Sequence, residues 1–170
     1  MKSTYKAAVV TVMVMAFLST PVDGQNYEKK GWGYGLLGAG SACGEDDQNF
    51  LHYGGGGEVL LYKGLGVAAE FGYLDRSDSD GMVVFSPGGI YAFNTGGKTI
   101  PFITAGYSFL FYDRREVRGA FFGAGINHLI GDYWGIRIEG RDHRRVTKRR
   151  TAHFTTHYLE ARLGVFFSWD

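Results

Sequence analysis

From Gly31 onward, apolar and polar or small side chains alternate in short runs, and the alternation restarts after each cluster of turn-forming residues. Side chains two apart on a strand share a face, so each run predicts a two-faced strand. The last is the longest: His157, Leu159, Ala161, Leu163, Val165, Phe167 and Trp169 fall on one side, with Tyr158, Glu160, Arg162, Gly164, Phe166 and Ser168 on the other. Before it, Trp134, Ile136 and Ile138 alternate with Arg137, Glu139 and Arg141. A long apolar face backed by charges, repeated along the chain, suits a barrel with lipid outside and polar side chains inside.

Taken in order, the pattern predicts eight strands. In the first, 31–43, Trp32, Tyr34 and Leu36 alternate with glycines, and in the second, 51–62, Glu58 opposes Val59 and Leu61. A tight turn over Lys63-Gly64-Leu65-Gly66 leads to a third strand carrying Glu70 opposite Phe71. The fourth, 82–93, is interrupted by Pro87-Gly88-Gly89, where the missing amide donor predicts a bulge. Ile100 to Tyr112 forms the fifth and Ala120 to Asn127 the sixth, followed by the two described above. Segments 44–50, 75–81, 113–118 and 141–153 read as loops, longer and more charged than the connections after the even strands, which orients the barrel with these four outside. Trp32, Trp134 and Trp169 fall at the opposite end, near Tyr91 and Phe93, and predict an interfacial aromatic girdle there.

The N-terminus changes the picture of where this barrel goes. Lys2 and Lys6 precede the apolar run from Ala7 to Leu18, and Val22-Asp23-Gly24 supplies a cleavage region, so residues 1–24 read as a signal peptide and 25–170 as a single barrel domain beginning near Gln25. The run is shorter than the ~18 residues of a spanning helix. Without its two lysines and one aspartate the basic and acidic residues balance, which argues against a global field steering nucleic acid. The single cysteine, Cys43, cannot form an internal disulfide and is not placed as a lipoprotein cysteine; it reads as a small wall residue.

The segment Arg162-Leu163-Gly164-Val165-Phe166-Phe167-Ser168-Trp169 resembles the C-terminal signature of bacterial outer-membrane barrels, with a polar residue at Arg162, glycine at Gly164 and hydrophobic residues at Phe167 and Trp169. Asp170 departs from it, since family members often end on the aromatic. With the strand rhythm of 25–169, the chain resembles the small outer-membrane barrel family typified by the transmembrane domain of OmpA and by OmpX. That resemblance implies an all-β, antiparallel eight-stranded transmembrane barrel behind a cleavable signal peptide, resident in the outer membrane, monomeric, and folded by the barrel-assembly machinery. It also allows a narrow gated pore. No peptidoglycan-binding segment follows the barrel, so tethering of the OmpA kind is not implied.

The candidate chemistry lies in charges on the polar faces. Glu58, Glu70, Arg137, Glu139, Arg141, Glu160 and Arg162 are expected to point into the lumen, which in an eight-stranded barrel is just wide enough for side chains to fill. They predict a paired network, with Arg137, Glu139, Glu160 and Arg162 meeting Glu58 or Glu70. A second cluster, Arg144, Arg145, Lys148, Arg149 and Arg150, with Arg141 at its base, predicts an external basic loop suited to the phosphates of lipopolysaccharide; it lacks the interleaved aromatics of a nucleic-acid site. No metal or cofactor motif is present, since His143 and His153 stand apart from other ligands. No serine, histidine and carboxylate combine in the deacylase pattern of lipid A-modifying barrels, and Ser86 and Ser108 read as small lumen residues. A non-enzymatic protein with a structural or surface-interaction role is expected, against the alternatives of a lipid A-modifying enzyme and a secreted lipocalin-like binding barrel with its apolar side inward.

Overall fold

The computed structural model describes residues 30–43, 49–76, 79–112, 115–149 and 152–169, and the expected signal peptide lies outside them. Eight strands follow one another: β1 (Gly31–Cys43), β2 (Asn49–Tyr62), β3 (Leu65–Arg76), β4 (Ser79–Ala92), β5 (Thr99–Tyr112), β6 (Arg115–Leu129), β7 (Trp134–Arg149) and β8 (Ala152–Trp169). Each pairs antiparallel with the next, and β1 pairs with β8 to close the barrel. The described residues contain no helix. The closing ladder runs from Gly31↔Trp169 to Cys43↔His157. Closure removes both sheet edges, as a hydrocarbon surrounding requires of a spanning sheet.

The faces divide as the alternation predicts on most strands. Leu51, Phe71, Tyr107, Phe122, Leu163 and Val165 are exposed on the outer wall, and aromatic rings pack along it, Phe71 on Phe85 with centroids 4.4 Å apart. Glu58, Glu70, Arg137, Glu139 and Arg162 are buried inside. On β1 the assignment to faces turns out differently. Trp32, Tyr34 and Leu36 point inward and Gly35 lies outward, so Trp32, fully buried, is no part of an outer girdle. Trp134 and Trp169 remain at that rim, partly exposed at 44% and 43%, and the ladders place Trp32 beside Ser168 and Trp134 beside Phe167.

The connections also depart from expectation. Strands continue through most of the segments read as loops: β3 reaches Arg76, β4 starts at Ser79, β6 at Arg115, β7 extends to Arg149 and β8 begins at Ala152. The connections after β3, β5 and β7 are therefore short, and the expected asymmetry of loop length is replaced by an overhang of paired strand. Backbone pairing is indifferent to side-chain charge, so polar residues outside an apolar belt can still form a ladder. At Pro87 there is no bulge. The β4–β5 ladder keeps its register from Phe85↔Phe109 to Gly88↔Gly106 and simply loses the pairs between, while Pro87 pairs in register with Ala69 of β3. Register shifts fall instead at Leu60/Tyr62 and Leu74/Arg76. The turn from β2 to β3 places both Lys63 (φ 43°) and Gly64 (φ 83°) in the left-handed region, the two-residue hairpin whose twist matches its strands.

Candidate functional site

The lumen is layered. Nearest the tryptophan rim lies an apolar layer of Trp32, Tyr34, Leu36, Ile90, Ile100, Phe102 and Phe166, with Ala92. Most of these are inward residues near the end of their strands, and Leu36 lies at the middle of β1.

Above it sits the charge layer. Glu58 on β2 receives Arg137 through two hydrogen bonds, Nη1 to Oε2 at 3.1 Å and Nη2 to Oε1 at 2.8 Å. The same guanidinium donates from Nε and Nη2 to Glu139 Oε2 at 3.2 and 3.1 Å, and from Nη1 to Asn127 Oδ1 at 3.4 Å. Its flat faces are held by the rings of Phe102 and Tyr34, 3.9 and 4.4 Å from the guanidinium carbon, an arrangement suited to arginine rather than lysine. Glu139 is the hub: Arg141 Nε donates to its Oε1 at 2.8 Å, and Arg162 Nη1 reaches its Oε2 at 3.5 Å. Glu70 accepts from Arg141 at 3.2 Å, from Arg162, and from the Tyr34 hydroxyl at 3.1 Å. Arg162 Nε also lies 3.0 Å from Glu160 Oε1, an ionic approach without hydrogen-bond geometry. All seven predicted lumen charges thus lie inside, six of them in this layer and Glu160 at its upper edge, but Glu139 and Glu160 pair with arginines and histidines and not, as expected, with Glu58 or Glu70, because like charges repel.

The next layer contains partners that sequence reading missed. His52 Nδ1 lies 3.0 Å from Glu160 Oε2, and His143 Nε2 lies 3.5 Å from Glu160 Oε1. His143 Nδ1 is 2.9 Å from Ser108 Oγ, which is 2.8 Å from Ser86 Oγ. The two serines fill the point where the β4–β5 ladder is interrupted. Parity carried the signal for both histidines: His52 shares a face with Glu58 on β2, and His143 continues Arg137, Glu139 and Arg141 on β7. Extending β7 past Arg141 exposes the second. The chain Ser108, His143, Glu160 has the residue types of a hydrolytic triad, a combination that spacing in the sequence did not suggest. Ser108 is fully buried and hydrogen-bonded to both Ser86 and His143.

A second apolar layer of Phe50, Leu74, Met82, Val84 and Leu110, with Val117 and Tyr158 packed against it, lies above these histidines. A small cavity there is lined by Phe50, Leu74, Met82, Leu110 and His143 among others, and does not include Ser108.

The remaining predicted residues, Arg150 excepted, belong to β7 and β8. Arg144 is exposed at the upper end of β7. Arg145, Lys148 and Arg149 belong to the same strand rather than to a loop, and Arg150 lies outside the described residues. In the C-terminal segment Arg162 and Gly164 face inward, whereas Phe167 and Trp169 are exposed outward at 64% and 43%. Among the described residues no group of three or more histidine, cysteine, aspartate or glutamate side chains is placed to hold a metal ion.

A closed eight-stranded antiparallel barrel, charged within and apolar without, is the architecture of the small outer-membrane barrels. No protein-family model matches the sequence, and no curated protein matches it. Solved structures do match in fold. The chain is similar to Neisserial surface protein A, with a TM-score of 0.66 and 12% identity over 82% of this chain and 97% of that one. It is similar to the N-terminal β-barrel domain of Pseudomonas aeruginosa OprF, with a TM-score of 0.57 and 21% identity over 80% and 97%. It is also similar to Ail, the attachment invasion locus protein of Yersinia pestis, with a TM-score of 0.57 and 10% identity over 84% and 100%. At these identities the likeness is one of fold.

Proposed function

We propose that this protein is a monomeric integral outer-membrane barrel with a structural or surface-interaction role, non-enzymatic and without a steady pore. The single observation that carries the reading is the order of layers in the lumen: a cluster of guanidinium and carboxylate groups lies between two apolar layers, on a wall whose outer face is apolar. A water path would have to cross both apolar layers as well as the guanidinium–carboxylate network, and exchange of charged partners alone would leave the apolar layers in place. The segment from Arg162 to Trp169 serves recognition by the barrel-assembly machinery, and export proceeds through the N-terminal signal. The basic end of the β7–β8 hairpin, Arg144 to Arg150, faces outward from the cell and contacts lipopolysaccharide.

Cell fractionation and planar-bilayer recording test this reading together. The expected result is a heat-modifiable band in the outer-membrane fraction and bilayers that stay silent after insertion. A soluble periplasmic protein would overturn the membrane assignment, and steady large conductance would overturn the closed lumen.

A further inference from the structure

We infer that the upper end of the barrel binds the chain end of a single-chain carboxylate amphiphile, a molecule of the fatty-acid kind, which enters sideways between β6 and β7. The inference goes beyond the proposed function but rests on its placement of this wall in the outer leaflet. β6 and β7 pair from Leu129↔Gly135 up to Ala120↔Arg144, and among the described residues their ladder goes no further. Both strands nevertheless continue: Arg115 to Gly119 stay paired with β5, and Arg145 to Arg149 with β8. The wall therefore forks above Ala120 and Arg144 into two hairpins, β5–β6 and β7–β8.

The small cavity of the upper apolar layer reaches this fork. Its lining joins Val117 and Gly119 of β6 to His143 and Arg144 of β7, the residues that bracket the split, and adds apolar side chains from inside the lumen, Leu74, Met82 and Leu110 among them. Gly119 brings no side chain to the base of the fork. An apolar cavity is poorly suited to water and takes an apolar guest. His143 turns its nitrogens elsewhere, since Nδ1 lies 2.9 Å from Ser108 Oγ and Nε2 lies 3.5 Å from Glu160 Oε1. Below these groups the charge layer fills the lumen, so a guest goes no deeper and needs no pore.

The fork also defines the other end of the guest. Arg144 occupies the last rung of the β6–β7 ladder and is exposed at the mouth of the split. A guanidinium holds a carboxylate through paired hydrogen bonds, so a molecule whose tail crosses the wall here carries its acid group to this residue. Phe122 and Leu159 are exposed one step lower on the same wall and continue the apolar surface down into the leaflet, the side from which a lipid-borne amphiphile arrives. The intact ladder beneath and the small cavity admit one slim chain end rather than a ring or a two-chain lipid.

The test places the full protein in phosphatidylcholine nanodiscs with hexadecanoic acid that bears a photoreactive diazirine at its terminal carbon, and maps the adducts by mass spectrometry after irradiation. Adducts are expected on the inward residues Leu74, Met82 and Leu110, removed by excess unlabelled hexadecanoic acid, beside unsaturable ones on Phe122 and Leu159 of the outer wall. Gly119→Phe and Val117→Trp, which close the fork from inside, should each lower the interior adducts about tenfold or more. Arg144→Gln should lower them several-fold for the acid and leave those of its methyl ester within about twofold. Heat-modifiable migration of every variant verifies that the barrel is intact. Adducts confined to the outer wall overturn the interior site and leave the membrane reading standing, whereas the absence of adducts on Phe122 and Leu159 overturns the membrane reading itself. Interior labelling that survives both fork variants overturns the sideways entry, and an equal response of acid and ester to Arg144→Gln overturns the assignment to a carboxylate.

Discussion

Arg137 shows how a single side chain ties the lumen together. Its guanidinium meets Glu58, Glu139 and Asn127 at its edge and two aromatic rings on its faces. A buried pair of this kind contributes little beyond what a well-packed apolar pair would, yet removing one partner strands the other. Arg137→Ala is therefore expected to destabilise the barrel by about 3–5 kcal/mol, read from urea unfolding in lipid vesicles. Arg137→Met with Glu58→Gln should recover most of that loss, because neither buried charge is then left alone. Arg144→Ala, on the exposed wall, should stay within about 0.5 kcal/mol. If the double variant is no more stable than Arg137→Ala, Glu58 is not the group left stranded.

At the scale of elements, the glycines of β2 separate two kinds of vacancy. Gly56 faces inward, where a Cβ would sit 2.6 Å from the Ala69 carbonyl oxygen and 2.8 Å from the Tyr34 hydroxyl. Gly57 faces outward, with the Trp32 carbonyl oxygen at an ordinary 3.7 Å. Gly56→Val is expected to cost about 1–3 kcal/mol through overpacking, and Gly57→Val should be neutral or stabilising because glycine is a poor strand residue; equal effects in the same unfolding assay would mean the inward side has room to give. These glycines also mark where the sequence was legible and where it was not. Alternation located all eight strands and, through Arg137, Glu139 and Glu160, the polar side of the wall. It could not assign faces on β1, because a run of aromatics against glycine has no charged side; the narrow lumen needs bulk, so Trp32 and Tyr34 went inside. Nor could it find strand ends in charged segments such as 141–149, and the same shortfall hid His143.

For the whole molecule, the layered lumen accounts for what composition alone could not. A polar interior was expected throughout, yet apolar layers lie both below and above the charges, each drawn from strand positions that single-strand patterns treat as equivalent. Only the register between strands brings Phe166 level with Phe102, or Phe50 with Leu110. The closing ladder has a further consequence. Gly31 is the cross-strand partner of Trp169, and the Lys30 amide donates to the Trp169 carbonyl at 2.9 Å. The two ends of the wall are therefore neighbours that a few linking residues can span, and the molecule is open to circular permutation. A chain relinked from Trp169 to Lys30 and reopened at Lys63-Gly64 keeps every ladder but ends on β2 instead of β8. It is expected to refold into lipid vesicles with native heat-modifiable migration while failing to assemble in cells, because its closing strand no longer carries Gly164, Phe167 and Trp169. Failure of both processes would show that the order in which the strands are made, and not only their pairing, is needed to close the ring.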